Sequence, residues 1–204
     1  MDVFQKLHND LSATTSEHVP VRKMAQMAKQ TILDRIDAQG DAASINADKE
    51  LSTELKAAAR RHKMTAHMEK SRGLESAIKE AETTLVASLP PLEQPTTAGG
   101  AQVDAELRAN FRALSEDKQE VLLKSSPATR LALARSPREL TGLGELHHNR
   151  IVDEVRRATY PDEMAKFDAD RAVIEAAKQV QGAHRETVRS LFGLAIETHV
   201  MKIA

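Results

Sequence analysis

The sequence predicts an all-α protein, and three observations lead to that prediction. Residues that favour helices, above all Ala, Leu, Glu and Lys, dominate the composition. Apolar residues recur at three- and four-residue steps along most of the chain. No β-branched run alternates with a period of two, as a strand would require. Because aromatic residues make up only 2% of the chain, the helix interfaces are expected to consist of Ala, Leu and Met.

Residues 1–88 are predicted to form an N-terminal helical module, either a bundle or a hairpin. The segment 2–12 has the pattern of a short amphipathic helix, Pro20 begins a second helix, and Asp48 is the expected cap of a third. Two alternatives remain for this third helix. It either continues through Gly73 or breaks there and folds back, and the glycine favours the break.

Residues 89–102 form the clearest boundary in the sequence. The prolines in the first part of this segment stiffen it into an extended path, and the Thr and Gly residues that follow loosen the second part. We therefore expect a flexible Pro/Thr/Gly linker between two modules.

Residues 103–204 are predicted to form a C-terminal module with a cluster of short helices and one long helix over 161–203. Two Ser-Pro pairs, Ser126-Pro127 and Ser136-Pro137, each combine a helix cap with proline at the first helical position. The long helix also begins at a proline, and acidic residues follow in its first turn, where they favour the helix dipole.

The long helix carries an apolar stripe that predicts a contact with a partner subunit. At 1.5 Å per residue it would reach roughly 60 Å, more than a small globule is expected to cover. The alternative is a core helix of the same domain, because a stripe at helical spacing usually faces a core. The residues predicted to form the partner interface are Val180, Val188, Leu191, Phe192, Leu194, Ile196 and Met201.

A basic run within residues 56–72 suggests nucleic-acid binding as an alternative function. Lys56, Arg60 and Lys63 share one helix face, and Arg61 lies beside them. Such a face could contact phosphates. The net charge of −1 and the scarcity of aromatic stacking platforms weigh against this function. The competing interpretation is a solvated face, or a patch that meets an acidic partner.

The sequence predicts no catalytic, cofactor or metal site, and therefore no enzyme. The absence of cysteine excludes disulfides and thiol chemistry, and no phosphate-binding or nucleophile motif is present. Glu145 and His148 have the Glu-x-x-His spacing of carboxylate-bridged metal sites, but no second copy accompanies them. His62 and His67 diverge on a helix, and His184 is interpreted as a hydrogen-bonded interface residue. The remaining alternative is a metal-dependent helical enzyme whose residues converge from distant positions.

Two further observations concern localisation. No basic region followed by an apolar stretch opens the sequence, so no signal peptide is expected. No segment is long and apolar enough to predict a membrane span. The chain is expected in a virion or in the cytoplasm.

In its Ala-rich helices, Pro/Thr/Gly tether, lack of cysteine and apolar helical end, the chain resembles the small all-helical structural proteins of tailed bacteriophage particles. This resemblance extends over the whole chain in general character. It implies a non-enzymatic assembly role as a neck or adaptor protein, an internal ejection-type protein, or a scaffold. The partners would be copies of the same chain, other structural subunits, or both.

Overall fold

The computed structural model describes the backbone of residues 3–200 and the side chains of residues 5–193. All regular elements within these ranges are helices, so the all-α prediction is confirmed. A short 3₁₀ helix over Arg138–Leu140 accompanies the α-helices. The α-helices are α1 (Val3–Ser12), α2 (Val19–Ala47), α3 (Thr53–Ala87), α4 (Ala98–Arg112), α5 (Glu116–Ser125), α6 (Pro127–Ala134), α7 (Glu145–Thr159) and α8 (Pro161–Val200). No helix within the described residues has the length and apolar character needed to cross a membrane.

Hydroxyl side chains fix the beginnings of several helices. Ser52, Thr97 and Ser126 precede α3, α4 and α6, and each accepts a hydrogen bond from the backbone N–H three residues later. These bonds satisfy amides that have no partner within the helix. The predicted cap of the third helix was wrong, because Asp48 instead accepts backbone N–H groups in the turn before α3.

The chain divides after Ser88 and after Ala165 into two compact units. Unit 1 contains α1, α2, α3 and α8 from Lys166 onward, and unit 2 contains α4 to α7. The predicted modules 1–88 and 103–204 therefore require correction, because the long helix belongs mainly with the N-terminal helices. The predicted linker 89–102 was too long, since α4 already begins at Ala98.

The helix α3 continues through Gly73 without a break, so the predicted fold-back at this residue was wrong. A Cβ atom at Gly73 would lie 3.3 Å from the terminal methyl of Met27 on α2, so the glycine makes room for this side chain. With 29 residues in α2 and 35 in α3, both helices are long enough to cover an extended stretch of α8.

The helices α3 and α8 run antiparallel within unit 1. Lys178 lies 2.8 Å from Glu82, and Arg185, seven residues further along α8, lies 2.7 Å from Glu75. The contacts on α3 therefore move backwards along the chain as those on α8 move forwards. Because α3 also follows α2 across a short turn, α2 and α8 run in the same direction.

Two apolar clusters fill unit 1. Apolar cluster 1 combines α1 with the first part of α2, the last part of α3 and the middle of α8, and includes Leu7, Leu11, Val21, Met24, Leu74, Ile78, Leu85, Ile174 and Val180. Apolar cluster 2 lies further along α2 and α8, and includes Ala38, Ala42, Ile45, Val188 and Phe192.

A buried polar layer separates these clusters along all three long helices. Its members are Thr31 and Asp34 on α2, His67 and Ser71 on α3, and His184 on α8, and each is at most 4% exposed. On α2, for example, Asp34 falls between Ile32 of cluster 1 and Ala38 of cluster 2. Buried polar groups require hydrogen-bond partners, so apolar packing alone does not explain this layer.

Unit 2 has its own small apolar core, in which Ala134, Ile151 and Val155 pack together. The proline-rich segment before α4 belongs to this unit. The Tyr160 hydroxyl donates to the backbone carbonyl of Pro91 at 2.9 Å, which holds the segment in place.

Two glycine substitutions should have opposite effects on stability. A Cβ at Gly182, on the exposed side of α8, would meet no atom within 4 Å, so Gly182→Ala should raise the free energy of unfolding by about 1 kcal/mol. Gly142 has φ +75°, and a Cβ atom added there would lie 3.2 Å from a side-chain carbon of Arg112, so Gly142→Ala should lower the free energy of unfolding by about 1–2 kcal/mol. Urea unfolding followed by circular dichroism measures both changes, and a destabilised Gly182→Ala would contradict this account.

Candidate functional site

Three buried side chains from three helices meet in the polar layer. Oδ2 of Asp34 on α2 lies 2.7 Å from Nδ1 of His67 on α3 and 3.0 Å from Nε2 of His184 on α8. All three residues are at most 3% exposed. We call this group the Asp34 cluster. One carboxylate oxygen therefore links all three long helices of unit 1.

Each member of the Asp34 cluster occupies a position that helical spacing assigns to the core. The buried positions on each helix follow steps of three and four residues, which places them on one inward face. In sequence order they include Ala28, Thr31, Asp34, Ala38 and Ala42 on α2, His67, Ser71, Leu74 and Ile78 on α3, and Ala177, Val180, His184 and Val188 on α8. The polar side chains are thus buried because they share a helix face with apolar residues that pack in the core.

Further charged groups surround the cluster. Nε2 of His67 lies 3.1 Å from Oδ2 of Asp41, and Nζ of Lys63 lies 3.1 Å from the same oxygen. Nζ of Lys70 donates to Oδ1 of Asp34. Both ring nitrogens of His67 therefore face carboxylates.

The hydrogen bonds to Asp34 decide its protonation. Burial raises the pKa of this carboxyl, but hydrogen bonds from Lys70, His67 and His184 outweigh burial and hold the pKa below its ordinary value. Because the pKa is lower in the folded than in the unfolded chain, the carboxylate stabilises the fold at neutral pH. This stabilisation is lost as the pH falls through the lowered pKa.

The second ring nitrogen of His184 is unsatisfied. Its Nδ1 is buried and finds no hydrogen-bond partner among the residues that the structure describes. A buried polar atom without a partner costs about 1–3 kcal/mol. Apolar packing alone would not require this cost, and a buried polar atom without a partner calls for a structural or functional explanation.

A cleft of 310 Å³ gives access to one side of the Asp34 cluster. Asp34 and Lys70 both line it, together with Thr31, Met27 and Gly73. The carboxylate is buried, whereas the Lys70 side chain is 56% exposed. Lys70 therefore lies between solvent and the carboxylate.

The predicted partner interface requires correction where the structure describes it. Val180, Val188 and Phe192 are fully buried within unit 1, and Leu191 packs partly buried against apolar cluster 2. These side chains are covered by other helices of their own chain, whereas the predicted length of the C-terminal helix suggested that a small globule could not cover it. The other predicted interface side chains lie outside the described part: Leu194, Ile196 and Met201.

Most of the predicted nucleic-acid face is occupied by contacts within the chain. Lys56 and Arg60 both donate to Asn46 at the end of α2. Lys63 forms an ion pair with the carboxylate of Asp41 on α2. Only Arg61 of the four predicted residues points away into solvent without a contact of this kind in the described structure.

The structure also locates the histidines that the sequence analysis considered. His148 of the Glu-x-x-His motif lies 3.1 Å from the backbone carbonyl of Ser136, and Glu145 lies 3.9 Å from Arg138. Among the side chains that the structure describes, neither is part of a group that could hold a metal ion. Within the described residues, the Asp34 cluster is the group with suitable ligand atoms.

The sequence patterns predicted no metal ligands, so this cluster was not expected. Its members lie 33 and 150 positions from Asp34, so no local motif could reveal them. The available signal was a polar residue at a core position on each of three long helices. Comparison of the chain with protein-family models, with curated proteins and with solved structures finds no match.

Removal of the central carboxylate should be strongly destabilising. Asp34→Ala leaves two buried imidazoles and Lys70 without their shared partner, so the free energy of unfolding should fall by about 3–5 kcal/mol. Asp37→Ala, at an exposed position on the same helix, is the matched control and should change it by less than about 0.5 kcal/mol. Urea unfolding of the wild type and the two variants measures these changes in the free energy of unfolding. Equal stability of both variants would contradict the central role of Asp34.

Proposed function

We propose that the protein binds a divalent transition-metal ion at Asp34, His67 and His184. The observation that carries this proposal is the convergence of three buried ligand atoms, one from each residue, all within 4.8 Å of one another. The three residues come from separate helices, so a bound ion would join α2, α3 and α8 at one point.

The chemistry of the ligands favours ions such as Zn²⁺ and Fe²⁺. Imidazole nitrogens suit both ions, and two histidines with one carboxylate form a common ligand set that leaves coordination positions open. In a tetrahedral zinc site with bonds near 2.0–2.1 Å, neighbouring ligand atoms lie about 3.3 Å apart. The distances of 2.7 and 3.0 Å in the Asp34 cluster therefore need to widen by about 0.6 and 0.3 Å.

The surroundings of His67 also suit a metal ligand. Histidines that bind metals commonly donate their other ring N–H to a carboxylate, which fixes the orientation of the ring. In His67, Nδ1 faces the cluster and Nε2 faces Asp41. The ring of Phe192 stacks on that of His67, with 5.8 Å between ring centroids. Both contacts hold the imidazole in one orientation.

A bound ion would stabilise the folded chain. The ligands bind in their deprotonated forms, and the unfolded chain does not bring the three residues together. At a free ion concentration of 100 times Kd, binding to the folded state alone would contribute about 2.7 kcal/mol. The proposed function is therefore that of a helical metal-binding protein.

Calorimetric titration of the full chain with Zn²⁺ tests this function. The wild-type protein should bind one ion per chain, and His67→Ala and His184→Ala should each weaken binding by at least about 100-fold, because each removes a direct ligand. His62→Ala, at an exposed position on α3, is the matched control and should bind like the wild type.

Circular dichroism would establish that each variant keeps its helical content. The absorption bands of bound Co²⁺ would report ligation by histidine without relying on the heat measured in the calorimetric titration. If the folded wild-type protein binds neither ion, the Asp34 cluster is a hydrogen-bonded core network and the proposed function is wrong. Equal affinity of wild type and His184→Ala would also refute it.

A second candidate function is the predicted assembly role, in which the chain is a structural subunit of an oligomer such as a virion component. The observation that favours it is an exposed apolar pair on one face of α2. Leu33 is 48% exposed and Ile36 is 63% exposed, three residues further along the helix. A partner subunit that covered this pair would remove apolar surface from water.

Light scattering of the purified chain tests the assembly role. If the pair forms a contact between subunits, the double variant Leu33→Lys/Ile36→Lys should dissociate an oligomer that the wild type forms. Val86→Lys, at an exposed apolar position on α3, is the control for added charge and should leave the mass unchanged. A monomeric wild-type protein would count against self-assembly through this face.

A further inference from the structure

The position of Lys70 suggests that it controls access to the proposed metal site. Its ammonium group donates to Oδ1 of Asp34, while both imidazoles contact Oδ2 of the same carboxylate. The two oxygens therefore have different partners. Oδ2 faces the histidines from α3 and α8, and Oδ1 faces Lys70 and the cleft.

The charges of Lys70 and a bound metal ion repel each other at this distance. The carboxylate carries one negative charge, and Lys70 balances it. A divalent ion bound to Asp34 would lie within a few ångströms of the ammonium group, where two cations repel each other strongly in a partly buried site. Because the carboxylate is buried, solvent cannot screen this repulsion fully. This repulsion favours a movement of Lys70 away from Asp34 when the ion arrives.

The lysine side chain is able to make this movement. Lysine has a long flexible stem, and in Lys70 more than half of the side chain is exposed. It lines the cleft that reaches Asp34, so its ammonium group can turn into solvent without crossing the packed core. Lys63, by contrast, pairs with Asp41 on the far side of His67 and does not touch Asp34.

We infer that Lys70 is the resident counter-ion of Asp34, and that a metal ion entering through the cleft displaces it. This inference rests on the proposed metal-binding function and adds a means of regulating it. Because Lys70 is displaced, the metal ion binds more weakly than it would bind to the same three ligands without Lys70. Ions that bind the histidines tightly can meet this cost, whereas Mg²⁺ and Ca²⁺, which prefer oxygen ligands, cannot.

Substitution of Lys70 separates this role from a merely structural one. Lys70→Met keeps the stem and removes the charge, so Zn²⁺ should bind at least about tenfold more tightly than in the wild type. The metal-free variant should unfold at a lower urea concentration, because Asp34 has lost its counter-ion. Lys70→Arg keeps the charge and should bind Zn²⁺ within about threefold of the wild type.

The controls use the same calorimetric titration with Zn²⁺ at fixed pH. Lys79→Met removes an exposed lysine from the same helix, away from the cluster, and should leave the affinity unchanged. Lys70→Gln serves as a second neutral variant if Lys70→Met does not fold. Tighter binding by a neutral variant, with unchanged binding by Lys79→Met, would support displacement.

The outcomes distinguish this inference from the proposed function. If wild-type protein binds Zn²⁺ and both neutral variants bind it equally or more weakly, Lys70 is not displaced and the inference alone is wrong. If neither the wild type nor the neutral variants bind Zn²⁺, the proposed function fails, and the inference fails with it. If only the neutral variants bind, Lys70 is not displaced in the wild type, and both the inference and the proposed function of the wild-type chain are wrong.

Discussion

The carboxylate of Asp34 imposes the constraint on which unit 1 depends. Removal of an ionised group from water costs several kcal/mol, and only a complete set of partners recovers it. Here two imidazoles and one ammonium group surround a carboxylate that is 2% exposed. Because the partners come from α3 and α8, a change of register between any two of the three helices would separate the carboxylate from at least one partner.

This constraint also explains why the polar layer has apolar neighbours on both sides. Apolar clusters 1 and 2 supply most of the burial that stabilises the three helices, but Ala, Leu and Val tolerate several alternative registers. The polar layer permits one register, as single buried polar residues do in coiled coils. The same alignment holds ligand atoms on rigid helices, which is the arrangement that metal sites require. Fold specificity and the proposed binding function therefore depend on the same contacts.

The sequence predicted the parts of this structure that depend on local patterns. Helical composition and spacing gave the all-α class, and the proline at the start of α8 gave its first residue.

The predictions failed where the answer depended on distant contacts. Gly73 suggested a break, but its missing side chain accommodates Met27 within a continuous helix. The stripe around Val188 suggested a partner because the long helix was expected to reach further than a small globule covers, but α2 and α3 are themselves long. The Asp34 cluster could not be predicted from the sequence, because the packing of three distant helices alone sets the register that brings its members together.

X-ray absorption spectroscopy of the Zn²⁺-loaded protein tests the central claim most directly, because it reports the ligands of the ion. If the ion binds Asp34, His67 and His184, the spectrum should show nitrogen and oxygen ligands at about 2.0–2.1 Å with the outer-shell scattering of two imidazoles. This imidazole signal should be halved in His184→Ala. A spectrum without imidazole scattering, or one unchanged by His184→Ala, would contradict the assignment of the Asp34 cluster as a metal site.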